Sequence, residues 1–116
     1  VCENVQRNLR ADQLGVWTYA GESDRVSLKI QYCNIINGVW GLNIQAYSTA
    51  EILNCNFYNN GKGIEIKDYA EVSIENCNFI NNTEYGLAII TENPIVSINY
   101  SNSWGNNENY WENCPG

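Results

Sequence analysis

Residues 52–66 read Ile52-Leu53-Asn54-Cys55-Asn56-Phe57-Tyr58-Asn59-Asn60-Gly61-Lys62-Gly63-Ile64-Glu65-Ile66. Two short stretches of alternating polar and apolar residues, 52–57 and 63–66, flank an Asn-Asn-Gly turn. Alternation at period two marks β-strands. Asn and Gly accept the left-handed backbone angles of tight turns. The pattern recurs on both sides. Upstream stands Ile30-Gln31-Tyr32-Cys33-Asn34-Ile35, and downstream Ile74-Glu75-Asn76-Cys77-Asn78-Phe79, with the same step from each cysteine to the next. A fourth copy, Ile98-Asn99-Tyr100-Ser101-Asn102-Ser103, carries Ser101 in the Cys column after a slightly longer step. Asn8-Leu9 reads as a degenerate first copy.

A second block repeats in phase: Gly15-Val16-Trp17-Thr18, Gly41-Leu42-Asn43-Ile44, Gly63-Ile64-Glu65-Ile66 and Gly86-Leu87-Ala88-Ile89. Between the blocks lie Asn37-Gly38, Asn59-Asn60-Gly61, Asn81-Asn82 and Asn106-Asn107, which read as turns. A fixed period of about 22 residues with this content is one winding of a solenoid. The expectation is an all-β, right-handed parallel β-helix of about five coils. It forms one domain over 1–116, with a degenerate coil over 1–25, regular coils over 26–103 and a C-terminal coil or tail over 104–116.

Stacking assigns roles by column. Ile30, Ile52, Ile74 and Ile98 face the core, as do Ile35, Phe57 and Phe79, and Val16, Leu42, Ile64 and Leu87. Asn8, Asn34, Asn56, Asn78 and Asn102 read as an asparagine ladder, with amides bonded from coil to coil. Asn54 and Asn76 form a shorter neighbouring column. Cys33, Cys55 and Cys77 lie on one line about 4.8 Å apart. Tetrahedral zinc needs convergent ligands, so this column reads as small buried hydrophobes, with a bond between two neighbours as the lesser alternative. Cys2 and Cys114 lie at opposite ends, roughly 20 Å apart after four coil steps, beyond disulfide reach. They are candidates for intermolecular bonds between stacked subunits. Asn81 and Asn99 head glycosylation-type sequons, Asn81 in the more accessible turn.

Composition narrows the function. The 116 residues carry a net charge of −7 with only six Lys plus Arg and no His. Such a chain neutralises few phosphates, so nucleic acid is a poor partner, and the commonest general base and metal ligand is missing. No apolar run approaches the ~20 residues of a membrane span. The first residue is Val1, and with five cysteines the chain is expected to be extracellular or at the cell surface, its signal peptide removed.

The pattern I-x-N-C-N-F-x-N-N-x-x-G-I-x-I, over roughly residues 26–107, resembles the parallel β-helix repeats of the pectate-lyase-like superfamily, especially surface proteins with NosD-type repeats. The resemblance implies the fold and not an activity, because that superfamily holds lyases, hydrolases, adhesins and scaffolds. Its lyases use clustered Asp residues and an Arg. Here Asp12, Asp24 and Asp68 share no column, and Arg7, Arg10 and Arg25 cluster near the start. Glu51, Glu65, Glu71 and Glu75 could supply carboxylates on adjacent coils for glycoside hydrolysis, yet outward acidic residues read as solvated surface. No cofactor is expected.

The aromatic residues Trp17, Trp40, Tyr47, Tyr69, Trp104 and Trp111 offer a contact surface, with Tyr47 and Tyr69 in matching columns. The expected function is a non-enzymatic structural protein that stacks end to end with copies of itself into a fibre, sheath or surface layer. The alternatives are a carbohydrate-binding or adhesin-like module, or a fragment of a polysaccharide-active β-helix enzyme.

Overall fold

The computed structural model describes residues 6–8, 14–18, 21 and 25–112, with side chains placed for 21 and 25–110. Among the described residues there are fourteen strands and no helix: β1 Gln6–Asn8, β2 Leu14–Thr18, β3 Ser27–Gln31, β4 Asn34–Ile36, β5 Trp40–Ile44, β6 Thr49–Leu53, β7 Asn56–Tyr58, β8 Lys62–Ile66, β9 Glu71–Glu75, β10 Asn78–Ile80, β11 Tyr85–Ile89, β12 Ile95–Asn99, β13 Asn102–Trp104 and β14 Glu108–Glu112.

Every third strand pairs with the one before it, always in parallel. Sheet A is β1-β4-β7-β10-β13, sheet B is β2-β5-β8-β11-β14 and sheet C is β3-β6-β9-β12. The chain therefore winds through A, B and C in turn, and each winding lies on the last. The register repeats the sequence columns: Ile30, Ile52, Ile74 and Ile98 are opposite one another, as are Ile35, Phe57 and Phe79. A regular winding is divided among three short strands because each turn ends one.

Like stacks on like inside the tube. The Phe57 and Phe79 rings lie 5.2 Å apart at 15°, and Leu42, Ile52, Ile64, Ile66, Ile74 and Leu87 have no exposed surface. Each such side chain contributes roughly 1.5–3 kcal/mol before ordering entropy is subtracted. The core fades in the last coil. Val96 and Ile98 are only partly buried, whereas their neighbours Val72 and Ile74 are fully inside.

Turn chemistry is columnar too. Tyr32, Asn54, Asn76 and Tyr100 all have φ between 50° and 54°, and Asn37, Asn59 and Asn81 have φ between 52° and 61°, with Gly105 at 71° below them in the same column. A sharp bend into the next sheet needs one left-handed residue, which Asn and Gly supply at least cost. A different constraint holds Gly41, Gly63 and Gly86. A Cβ on Gly41 or Gly63 would overlap the carbonyl oxygen of the glycine one coil on, and a Cβ on Gly86 would overlap Ser103 and Asn109.

Candidate functional site

Sheet A strands are three residues long, so only their first and third residues point outward. The first column is Asn34, Asn56, Asn78 and Asn102. Asn56 Nδ2 donates to Asn34 Oδ1 at 2.7 Å, Asn78 to Asn56 at 2.8 Å and Asn102 to Asn78 at 3.3 Å. The expected ladder therefore exists over these four coils. Its first member is corrected: strand β1 places Gln6 opposite Asn34, and Asn8 opposite Ile36. The degenerate copy is shifted by two positions because no cysteine anchors the register there. The third-residue column is Ile36, Tyr58, Ile80 and Trp104. Tyr58 and Trp104 are exposed. Between the columns runs a shallow groove of about 410 Å³ lined by Asn34, Ile36, Asn56, Tyr58 and Ile80. None of the eight residues in the two columns is charged.

A second amide ladder lies inside the tube, formed by Asn60, Asn82 and Asn106, which sequence reading treated only as turn residues. Asn60 and Asn82 are completely buried. Each amide fastens the turn of the preceding coil at two points. Asn60 takes the Gly38 amide on Oδ1 and donates to the Ile35 carbonyl, both at 2.9 Å. Asn82 takes the Asn60 amide at 3.0 Å and donates to Phe57 at 3.1 Å. Asn106 takes the Asn82 amide at 2.8 Å and donates to Phe79 at 2.9 Å. The signal was present: these asparagines recur with the same steps as the column of Cys55, Cys77 and Ser101.

Cys33, Cys55 and Cys77 stack in the interior as thiols with no disulfide among them. Each donates to the carbonyl two positions earlier: Cys33 to Gln31 at 3.2 Å, Cys55 to Leu53 at 3.1 Å and Cys77 to Glu75 at 3.3 Å. Ser101 repeats that bond to Asn99 at 2.9 Å, which explains why a hydroxyl replaces a thiol in this column. The hydrogen bond with Cys55 and then burial push the Cys77 thiol up, so it keeps its proton. Cys2 and Cys114 lie outside the described residues, as do the side chains of Trp17 and Trp111.

The remaining aromatics divide into two sites. Tyr47 and Tyr69 stack at 5.0 Å and 5°, with the Arg25 guanidinium 5.7 Å from the Tyr47 ring and bonded to Glu71 at 3.0 Å. On sheet B, Lys62 Nζ sits 4.7 Å over Trp40 and 5.6 Å from Tyr85. Lys62 also pairs with Glu65 at 3.5 Å and Glu84 at 3.7 Å.

Glu65 corrects the expectation of a solvated acid. It is 7 % exposed, flanked by Lys62 and by Lys67 at 3.9 Å, and it accepts a short hydrogen bond from the Tyr85 hydroxyl. Burial first, and that bond second, raise the Tyr85 phenol well above its ordinary value. A pocket of about 480 Å³ opens beside this cluster. Glu51, Glu71 and Glu75 lie on sheet C instead, opposite Ser73, Thr49 and Leu53. No two of these four carboxylates face each other across adjacent strands.

Of the two sequons, Asn81 and Thr83 are both exposed. Asn99 is exposed as well, but Ser101 is tied to Asn99 O and to the Cys77 amide.

Stacked parallel windings, an apolar tube and amide ladders define a β-solenoid repeat protein. The family model described as a right handed beta helix region matches residues 11–114, and the chain belongs to that right-handed β-helix family. No curated protein and no solved structure matches it.

Proposed function

We propose that this chain is a non-enzymatic structural protein of the cell exterior that stacks head to tail with copies of itself. One observation carries the reading: two of the three strands on the edge of the last described coil carry no charge to discourage pairing, the third, β14, having Glu108 and Glu112 at its ends. Among the described strands, β12 and β13 are each bonded on one side only. Neither contains a charged residue, although Lys and other charges are the usual protection of exposed edges. Ile95 is 70 % exposed there. A further parallel winding would bury Val96 and Ile98, which face the interior, and satisfy the open backbone groups.

Charge favours one polarity. All six basic residues lie within 1–67, balanced by six acidic ones, while the seven acidic residues from Asp68 onward have no basic counterpart. Tail-to-tail contact brings like charges together, and head-to-tail contact does not. A head-to-tail interface that does not close makes a filament.

Negative-stain microscopy and sedimentation of the purified protein test this reading. Filaments or a concentration-dependent ladder of oligomers are expected, and Ile98→Lys should abolish them. Monomers at every concentration under native, oxidising conditions would overturn the proposal.

A second reading, a glycan-binding module, is favoured by the uncharged outer face of sheet A.

A further inference from the structure

We infer that Asn37, Asn59 and Asn81 form a column of latent deamidation sites, each held shut by the inner-ladder asparagine of the next coil.

Deamidation of asparagine needs no enzyme and no co-reactant but water. The backbone nitrogen of the following residue loses its proton, bonds to the side-chain Cγ and expels ammonia. Water then opens the resulting succinimide to aspartate or isoaspartate. The reaction is fastest in exposed, mobile turns where the next residue is glycine, with no side chain to obstruct attack. Asn37, Asn59 and Asn81 are exposed turn residues, and Gly38 follows Asn37. Isoaspartate would route the backbone through Cβ and lengthen a turn that separates two in-register strands. It would also add negative charge to a chain already at −7.

In each of these turns the attacking nitrogen is occupied. The residue after each asparagine, Gly38, Asn60 or Asn82, is buried. Its N–H donates to the inner-ladder amide one coil on: Gly38 to Asn60 Oδ1 at 2.9 Å, Asn60 to Asn82 Oδ1 at 3.0 Å and Asn82 to Asn106 Oδ1 at 2.8 Å. Away from water such a bond is strong, and it opposes loss of the proton. The N–H groups of Asn37, Asn59 and Asn81 themselves donate to the carbonyls of Tyr58, Ile80 and Trp104 at 3.4, 3.2 and 3.2 Å. The peptide groups on both sides of each asparagine are therefore pinned. The nitrogen reaches Cγ only by breaking bonds to the next coil.

The other Asn-Gly pair, Asn60-Gly61, is locked by different bonds. The Asn60 side chain is committed to Gly38 and Ile35, and the Gly61 N–H donates to the Gly38 carbonyl at 2.8 Å. The fourth position of the exposed column is Gly105, which has no side-chain amide to lose. It adjoins Asn106, the last rung of the described ladder.

Peptide mapping by mass spectrometry, after incubation of the purified protein at mildly alkaline pH, reads each site separately. Wild type, Asn60→Ala, Asn82→Ala and Asn106→Ala are compared with the urea-unfolded chain, with melting curves to verify folding. Val72→Ala, a core truncation on sheet C away from the ladder, controls for lost stability. Asn37 in the folded wild type is expected to react at least about ten-fold more slowly than in urea. Asn60→Ala should speed Asn37, Asn82→Ala should speed Asn59 and Asn106→Ala should speed Asn81, each about ten-fold, with the other two sites still slow. Val72→Ala should speed none of them. Where truncation of a fully buried rung prevents folding, Asn106→Ala decides, because Asn106 is only part-buried. Reaction of Asn37 in the folded wild type at the unfolded rate would overturn the inference. So would ladder variants that leave the three rates unchanged, or a common acceleration of all three sites in the ladder variants and in Val72→Ala, which marks general loosening.

Discussion

Tyr32, Asn54, Asn76 and Tyr100 hold the same left-handed turn position in successive coils. A non-glycine residue there costs about 1–2 kcal/mol, and Asn bears it better than Tyr because its short amide bonds locally. Asn76 already donates to Asn54 across one coil, and Tyr32 stands next in that line, largely exposed. Tyr32→Asn is therefore expected to stabilise the protein by about 0.5–1 kcal/mol, read as a rise in the urea midpoint. The two amide ladders should respond differently to truncation. Asn78→Ala removes a part-buried outer rung that water can replace, at a cost of about 1 kcal/mol or less. Asn82→Ala leaves the buried Asn60 amide without its acceptor and opens a cavity, and is expected to cost about 2–4 kcal/mol. Equal urea midpoints for the two variants would contradict the assignment of inner and outer ladders.

At the scale of the strand, sheet B carries the strictest constraint and the unusual chemistry. Coils approach so closely at Gly63 that a methyl group meets the Gly86 carbonyl. Gly63→Ala is expected to lose about 2–3 kcal/mol. Gly21→Ala, where a Cβ meets nothing within 4 Å, is expected to lose almost none, and thermal melts compare the two directly. The Tyr85–Glu65 bond predicts an alkaline response. Tyr85 is raised in the folded protein, so the folded state holds the proton after the unfolded chain, with its ordinary phenol near 10, has released it. That contribution is intact below about pH 10 and is lost as pH climbs above it toward the folded value. Urea unfolding at pH 8 and pH 11 should show the fall. Tyr85→Phe should flatten that part of it, while costing about 1–3 kcal/mol at pH 8 because Glu65 loses a donor.

Across the whole molecule, the acidic excess lies entirely in residues 68–116. A solenoid separates the beginning and end of its chain in space, so this imbalance gathers toward one end. If head-to-tail stacking is the route of assembly, raising ionic strength from about 0.01 to 0.15 M shortens the Debye length from about 30 to 8 Å and should lengthen filaments by screening residual repulsion between acidic coils. Light scattering across a salt series follows this, and filaments that dissolve over the same range would show that attractive charge pairs hold the joint.

The winding was legible in the sequence because each coil lies in register on the next. Residues one period apart therefore share one environment, and selection for that environment writes the same letters in every coil. Cys33, Cys55, Cys77 and the substitute Ser101 could be aligned before any coordinates, as could the Phe pair and the Tyr47–Tyr69 stack. The inner ladder was visible as spacing but not as location, because Asn59 and Asn60 are adjacent Asn residues and only the bend decides which side chain turns inward. Register at β1 was not legible, since the apolar Leu9 after Asn8 suggested one alignment whereas the strand pairs Arg7 with Ile35. The Glu65 site was not legible either. Burial of a carboxylate depends on Lys62 and Tyr85, which share a column with Trp40 but not its residue type, meeting Glu65 and Lys67 from other columns. Columns arise from translation along the axis, which sequence records directly. Sites built across columns depend on how side chains from different positions meet around the tube, and only the folded structure decides that.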